Sequence, residues 1–116
     1  MFQERRITPR IRTYHPVRLF RPGDPKPIET LTKDLAAGGL RCVSPCALPV
    51  STELNVELVL STGEELLTAR GRTAWFQMLP KSDQFELGIA FVEVPPRHHQ
   101  HLSTYLGRVT RQAVTV

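Results

Sequence analysis

The sequence predicts an all-β domain: a six-stranded antiparallel β-barrel with a C-terminal helix and a flexible N-terminal arm. Three observations lead there. Six short stretches alternate apolar and polar residues, and turn-forming residues separate them. Pro95-Pro96 then ends the strand pattern, and Leu102, Tyr105, Leu106 and Val109 recur at helical spacing. Finally, 116 residues are enough for one domain with a modest core, and no internal repeat suggests a second. The expected division is an arm over residues 1–13, a barrel over 14–94 and a helix over 96–112.

Residues 1–13 show no usable periodicity and few large apolar groups, so they read as an extended arm. The first strand is expected from Tyr14 to Arg21, where Val17 and Leu19 alternate with Arg18, and Pro22-Gly23-Asp24-Pro25 turns the chain. A second strand is expected from Ile28 to Lys33. Gly38-Gly39 interrupts the pattern, and a short third strand runs from Leu40 to Ser44. The clearest alternation lies between Glu53 and Ser61, with Leu54, Val56, Leu58 and Leu60 on the buried face. Thr62-Gly63 is the expected hairpin turn into a long strand from Glu64 to Phe76. There Leu67, Ala69, Gly71, Thr73 and Trp75 share one face, which favours the core for Trp75 over the alternative that it flanks a ligand site, and Gly71 marks a bend or bulge. In the last strand, Gln84 to Glu93, the residues Phe85, Leu87, Ile89 and Phe91 point inward. The small Gly88 and Ala90 leave room for something to lie against the opposite face. Pro96 suits the first position of the helix.

No apolar run approaches the ~20 residues needed to span a membrane. The N-terminus lacks the apolar segment of a signal peptide, so the cytoplasm is the expected compartment. Cys42 and Cys46 are too few for a disulfide framework and are expected as free thiols, with Cys42 packed as a small apolar residue. No nucleophile motif, phosphate loop or paired carboxylates are present, which argues against an enzyme. His98, His99, His101 and the Cys42-x3-Cys46 pair lack the spacing of a zinc site; a solvated helix start explains the histidine cluster, and His15 stands alone.

The charge is uneven. Residues 1–27 hold seven of the fifteen basic residues and two acids, Glu4 and Asp24. Such a field attracts anions, although a basic run can also be a solvated tail. Within it, Arg6 and Arg10 are separated by three residues, roughly 13 Å in an extended chain. Guanidinium groups bind phosphates bidentately, pair with guanine O6 and N7, and stack on purine faces. A cyclic dinucleotide offers all of these targets. Asp34 adds a carboxylate that matches the N1–H and N2–H donors of guanine. Gly38 and Gly39 expose backbone to a ligand, or simply make a turn.

The ordered set, Glu-Arg-Arg-x-x-Pro-Arg near the N-terminus and Asp-x-Ala-x-x-Gly about two dozen residues later, resembles the PilZ domain family. The family pattern is Arg-x3-Arg followed by Asp or Asn-x-Ser-x2-Gly. Arg6 and Arg10 match the first part; Asp34 and Gly39 match the second, with Ala36 in place of the family's serine. Leu87-Gly88-Ile89-Ala90-Phe91 resembles the family's last strand. The resemblance implies a barrel that binds cyclic di-GMP through Arg6, Arg10, Asp34, Ala36 and Gly39, with the arm closing over the ligand. Arg5, just ahead of the pair, is a candidate contact to a second stacked ligand. The expected function is thus a stand-alone cyclic di-GMP receptor that passes its signal to an effector protein of unknown identity. The alternatives are a PilZ-like interaction domain that has lost the ligand, for which Ala36 speaks, and a nucleic-acid-binding barrel, which lacks exposed aromatics for stacking bases.

Overall fold

The computed structural model describes residues 14–60 and 66–114. The arm with Arg5, Arg6 and Arg10, and the turn expected at Thr62-Gly63, lie outside the described residues. All six expected strands form: β1 (Pro16–Phe20), β2 (Ile28–Ala36), β3 (Gly39–Ser44), β4 (Glu53–Leu58), β5 (Leu67–Met78) and β6 (Phe85–Glu93), followed by α1 (Pro96–Val114). They close into a barrel in the order β1-β2-β3-β6-β5-β4, antiparallel at every pairing.

Alternation along each strand puts one set of side chains inside. Val17, Leu19, Leu35, Leu40, Leu54, Val56, Leu58, Leu67, Leu87 and Ile89 are buried there, and Cys42 packs among them. Each fully buried aliphatic side chain contributes about 1.5–3 kcal/mol relative to its exposed state. The helix starts at Pro96, whose missing N–H costs nothing at that position, and it turns Leu102 and Leu106 into the same core.

Two histidines fasten α1. His98 is buried, and its Nδ1 accepts a hydrogen bond from the Thr68 backbone N–H at 3.0 Å. The solvated helix start expected from the sequence therefore holds for the exposed His99 but not for His98, because the first turn docks on β5. Nor does His15 stand alone: its Nε2 lies 2.8 Å from the Tyr105 hydroxyl on α1.

Two strand details differ from expectation, the end of β2 and the orientation of Trp75. β2 runs on to Ala36, so Asp34 and Ala36 belong to a strand; a tight turn at Ala37-Gly38 pairs Ala36 with Gly39. The irregularity expected at Gly71 is present, between Arg70 and Gly71. A second one separates Thr73, paired with Ile89, from Trp75, paired with Gly88. One extra residue there inverts the alternation, so Trp75 leaves the core face and is 37% exposed.

Candidate functional site

The outer wall over β2, β3, β6 and β5 gathers the polar residues that the core rejects. On β2 the register slips between Thr32, opposite Cys42, and Asp34, opposite Arg41. The slip brings Lys33 and Asp34 to the same neighbourhood. Arg41 Nε donates to Asp34 Oδ2 at 2.6 Å, while its Nη1 lies 3.5 Å from Glu86 Oε2. The same Glu86 oxygen accepts from Lys33 Nζ at 2.8 Å. Asp34 and Glu86 are both buried. Two buried carboxylates beside two cations form a neutral group, and such pairing is what permits their burial.

Gly88 separates this group from Trp75: Arg41 pairs with it from β3 and Trp75 from β5. A Cβ built on Gly88 would lie 2.2 Å from the Trp75 Nε1, so the indole occupies the space that a side chain would need. The room expected beside Gly88 is therefore filled by the tryptophan. Asp34, Arg41, Gly88 and Trp75 make a row across four strands, about 14 Å long at the ordinary strand spacing.

Of the residues expected at a site, Asp34, Ala36 and Gly39 are brought together around one tight hairpin. Asp34 and Ala36 share the face of β2 opposite the buried Leu35. The two glycines differ. A Cβ on Gly39 would fall 2.1 Å from the Ile89 carbonyl oxygen, so β6 itself requires that glycine, whereas nothing approaches within 4 Å of a Cβ on Gly38. Three functional candidates escaped the sequence reading: Lys33, Arg41 and Glu86. Alternation in β3 marks Arg41 as outward, and a two-residue turn at 37–38 would have set it opposite Asp34. The burial of Glu86 carried no sequence signal.

Among the described residues no cluster of histidine, cysteine, aspartate or glutamate is arranged to hold a metal ion. No helix among them is long and apolar enough to cross a membrane. Burial and the negative Glu86 push the Cys42 thiol up to about 12, which leaves it protonated.

The architecture is similar to several solved structures. The inhibitor of motility MotI of Bacillus subtilis superimposes with a TM-score of 0.80 at 19% identity; the match covers 98% of this chain and 54% of MotI, so the chain spans about half of that protein. The PilZ domain of YcgR from Escherichia coli, solved with cyclic di-GMP, gives 0.70 at 16% identity and covers 95% of each chain. PlzA of Borreliella burgdorferi, solved in complex with cyclic di-GMP, gives 0.64 at 19% identity over 88% of this chain and 41% of PlzA. No curated protein matches. The PilZ domain family model matches residues 4–108, taking in the arginine arm, the Asp34–Gly39 hairpin, the whole barrel and most of α1. With nearly its full length matched, and with the closed barrel and helix described above, the chain belongs to the PilZ domain family.

Proposed function

We propose that this domain is a cyclic di-GMP receptor. The observation that carries the reading is Asp34, a buried carboxylate fixed on the outer wall beside the unobstructed Gly38 and on the same face as the exposed Trp75. In this reading Asp34 takes the guanine N1–H and N2–H, and Gly39 with Ala36 forms the bare floor. Trp75 flanks the ligand, and Arg6 and Arg10 close over its phosphates and guanine edges. Ordering the arm costs conformational entropy, which the charge-assisted contacts must exceed. That ordering changes the surface offered to an effector protein and is the switch. Arg5 neutralises a second, stacked ligand. The solved complexes of YcgR and PlzA with cyclic di-GMP support the ligand class.

The test is a calorimetric titration with cyclic di-GMP, with GTP as the specificity control. Binding to cyclic di-GMP alone is expected, with two ligands per chain falling to one in Arg5→Ala. Arg10→Ala should bind at least about tenfold more weakly, the loss of one charge-assisted contact. Wild-type affinity in Arg10→Ala would contradict the site.

A second reading is a PilZ interaction domain without the ligand. Ala36 favours it, and so does the Arg41–Asp34 pair, which already engages the carboxylate at 2.6 Å. A missing neutral hydrogen bond costs only about 1 kcal/mol, which weakens binding several-fold and does not abolish it. An absence of heat with cyclic di-GMP would decide for this second reading.

A further inference from the structure

Arg41 has no ligand contact in the receptor site so far, yet among the described residues its guanidinium meets two carboxylates on the outer wall. Its Nε is spent on Asp34 and its Nη1 faces Glu86, both buried acids. Its side chain is nonetheless 34% exposed. Among the described residues its Nη2 makes no hydrogen bond. An arginine held by two carboxylates has little rotamer freedom left to lose, so a contact from its free edge costs little ordering.

Its position matters as much as its anchoring. Arg41 stands directly opposite Asp34, and Ala36 pairs with Gly39 two residues along the same hairpin. Arg41 is therefore the diagonal neighbour of Ala36 on one face, a separation that a long side chain spans. Neither Ala36 nor Gly39 carries a group that could obstruct it or bind a ligand in its place. The hairpin thus lacks the hydroxyl donor of the family pattern but has an anchored guanidinium beside the gap.

We infer that Arg41 is a further ligand-binding arginine of this domain, beyond those of the N-terminal stretch: it fixes Asp34 through Nε and donates from Nη2 to an acceptor oxygen of the cyclic dinucleotide above Ala36. It takes over the task of the missing hydroxyl. The inference rests on the cyclic di-GMP reading and deepens it.

The test is a mutant cycle read by calorimetry with cyclic di-GMP, using the wild type, Ala36→Ser, Arg41→Ala and the double variant. Arg41→Lys and thermal melting of every protein without ligand serve as controls for folding. Arg41→Ala should bind about tenfold more weakly or worse, the loss of a charge-assisted donor. Arg41→Lys should also weaken, because a single ammonium cannot hold Asp34 and still offer a second edge. Ala36→Ser should raise affinity by a larger factor in the Arg41→Ala background than in the wild type, since the two donors serve one acceptor. An arginine with only a structural role would give the same serine gain in both backgrounds. That result, or wild-type affinity in a folded Arg41→Lys, overturns the inference while leaving the receptor reading intact. No binding by the wild type overturns both.

Discussion

Two cysteines four residues apart have different surroundings. Cys42 points into the barrel with no measurable exposure, and burial beside Glu86 keeps its thiol protonated well above physiological pH. Cys46 lies in the loop after β3, partly exposed, where its backbone N–H donates to the Ser44 hydroxyl at 3.1 Å. Since the thiolate is the nucleophile, alkylation of the folded protein at neutral pH should label Cys46 and spare Cys42 until the barrel unfolds. Peptide mass mapping after iodoacetamide checks this; equal labelling of both residues would show the core to be open. The burial of Cys42 was legible in the sequence, because it sits in phase with Leu40 on a strand of alternating residues. The influence of Glu86 was not, since it comes from a strand more than forty positions away.

At the scale of elements, the candidate site is built by departures from regular pairing. The slip in β2 brings Lys33 and Asp34 to Arg41, and the extra residue in β5 turns Trp75 out over Gly88. Period-two alternation cannot reveal an inserted residue, which is why the sequence placed Trp75 in the core. Gly88 is the position that accommodates the result. In Gly88→Ala the new methyl would meet the indole, so the tryptophan must swing toward solvent or the strands must part, at a cost of about 1–3 kcal/mol. Trp75 is the sole tryptophan, so its fluorescence should shift to the red in this variant. Unchanged emission and unchanged stability would refute the packing described. The hairpin carrying Asp34, Ala36 and Gly39 is different: the sequence pattern ended the second strand at Lys33 and missed the two-residue turn, and these three residues stood out only through the motif they match.

At the scale of the molecule, His15 ties separate parts together. Its backbone N–H donates to Thr32 Oγ1 on β2, its Nε2 meets the Tyr105 hydroxyl of α1, and it hydrogen-bonds the Val59 backbone after β4. Burial lowers its pKa below 6.5, against a smaller opposing effect of the Val59 bond. Well above pH 6.5 the imidazole is neutral in both folded and unfolded chains and contributes no pH dependence. As pH falls below that, the unfolded chain takes up a proton that the folded one resists. Stability is lost through this window, by at most about 1.4 kcal/mol per pH unit for one proton. The decline is complete once pH passes the lowered folded value. Urea midpoints of the wild type and His15→Gln, compared from pH 7.5 downward, should show an extra acid-side decline in the wild type. Parallel curves would remove His15 from the account.

The chain by itself determined the barrel and its helix, because alternation, helical spacing and turn residues are local properties that six strands repeat consistently. It also marked Asp34, Ala36 and Gly39, which one tight turn holds together. Only the tertiary structure decided that Glu86 meets Arg41 and Lys33, that Trp75 faces outward, and that two histidines fasten α1. Those contacts join strands distant in sequence, across registers shifted by single residues. Such shifts are set by how the whole barrel packs, and no local pattern records them.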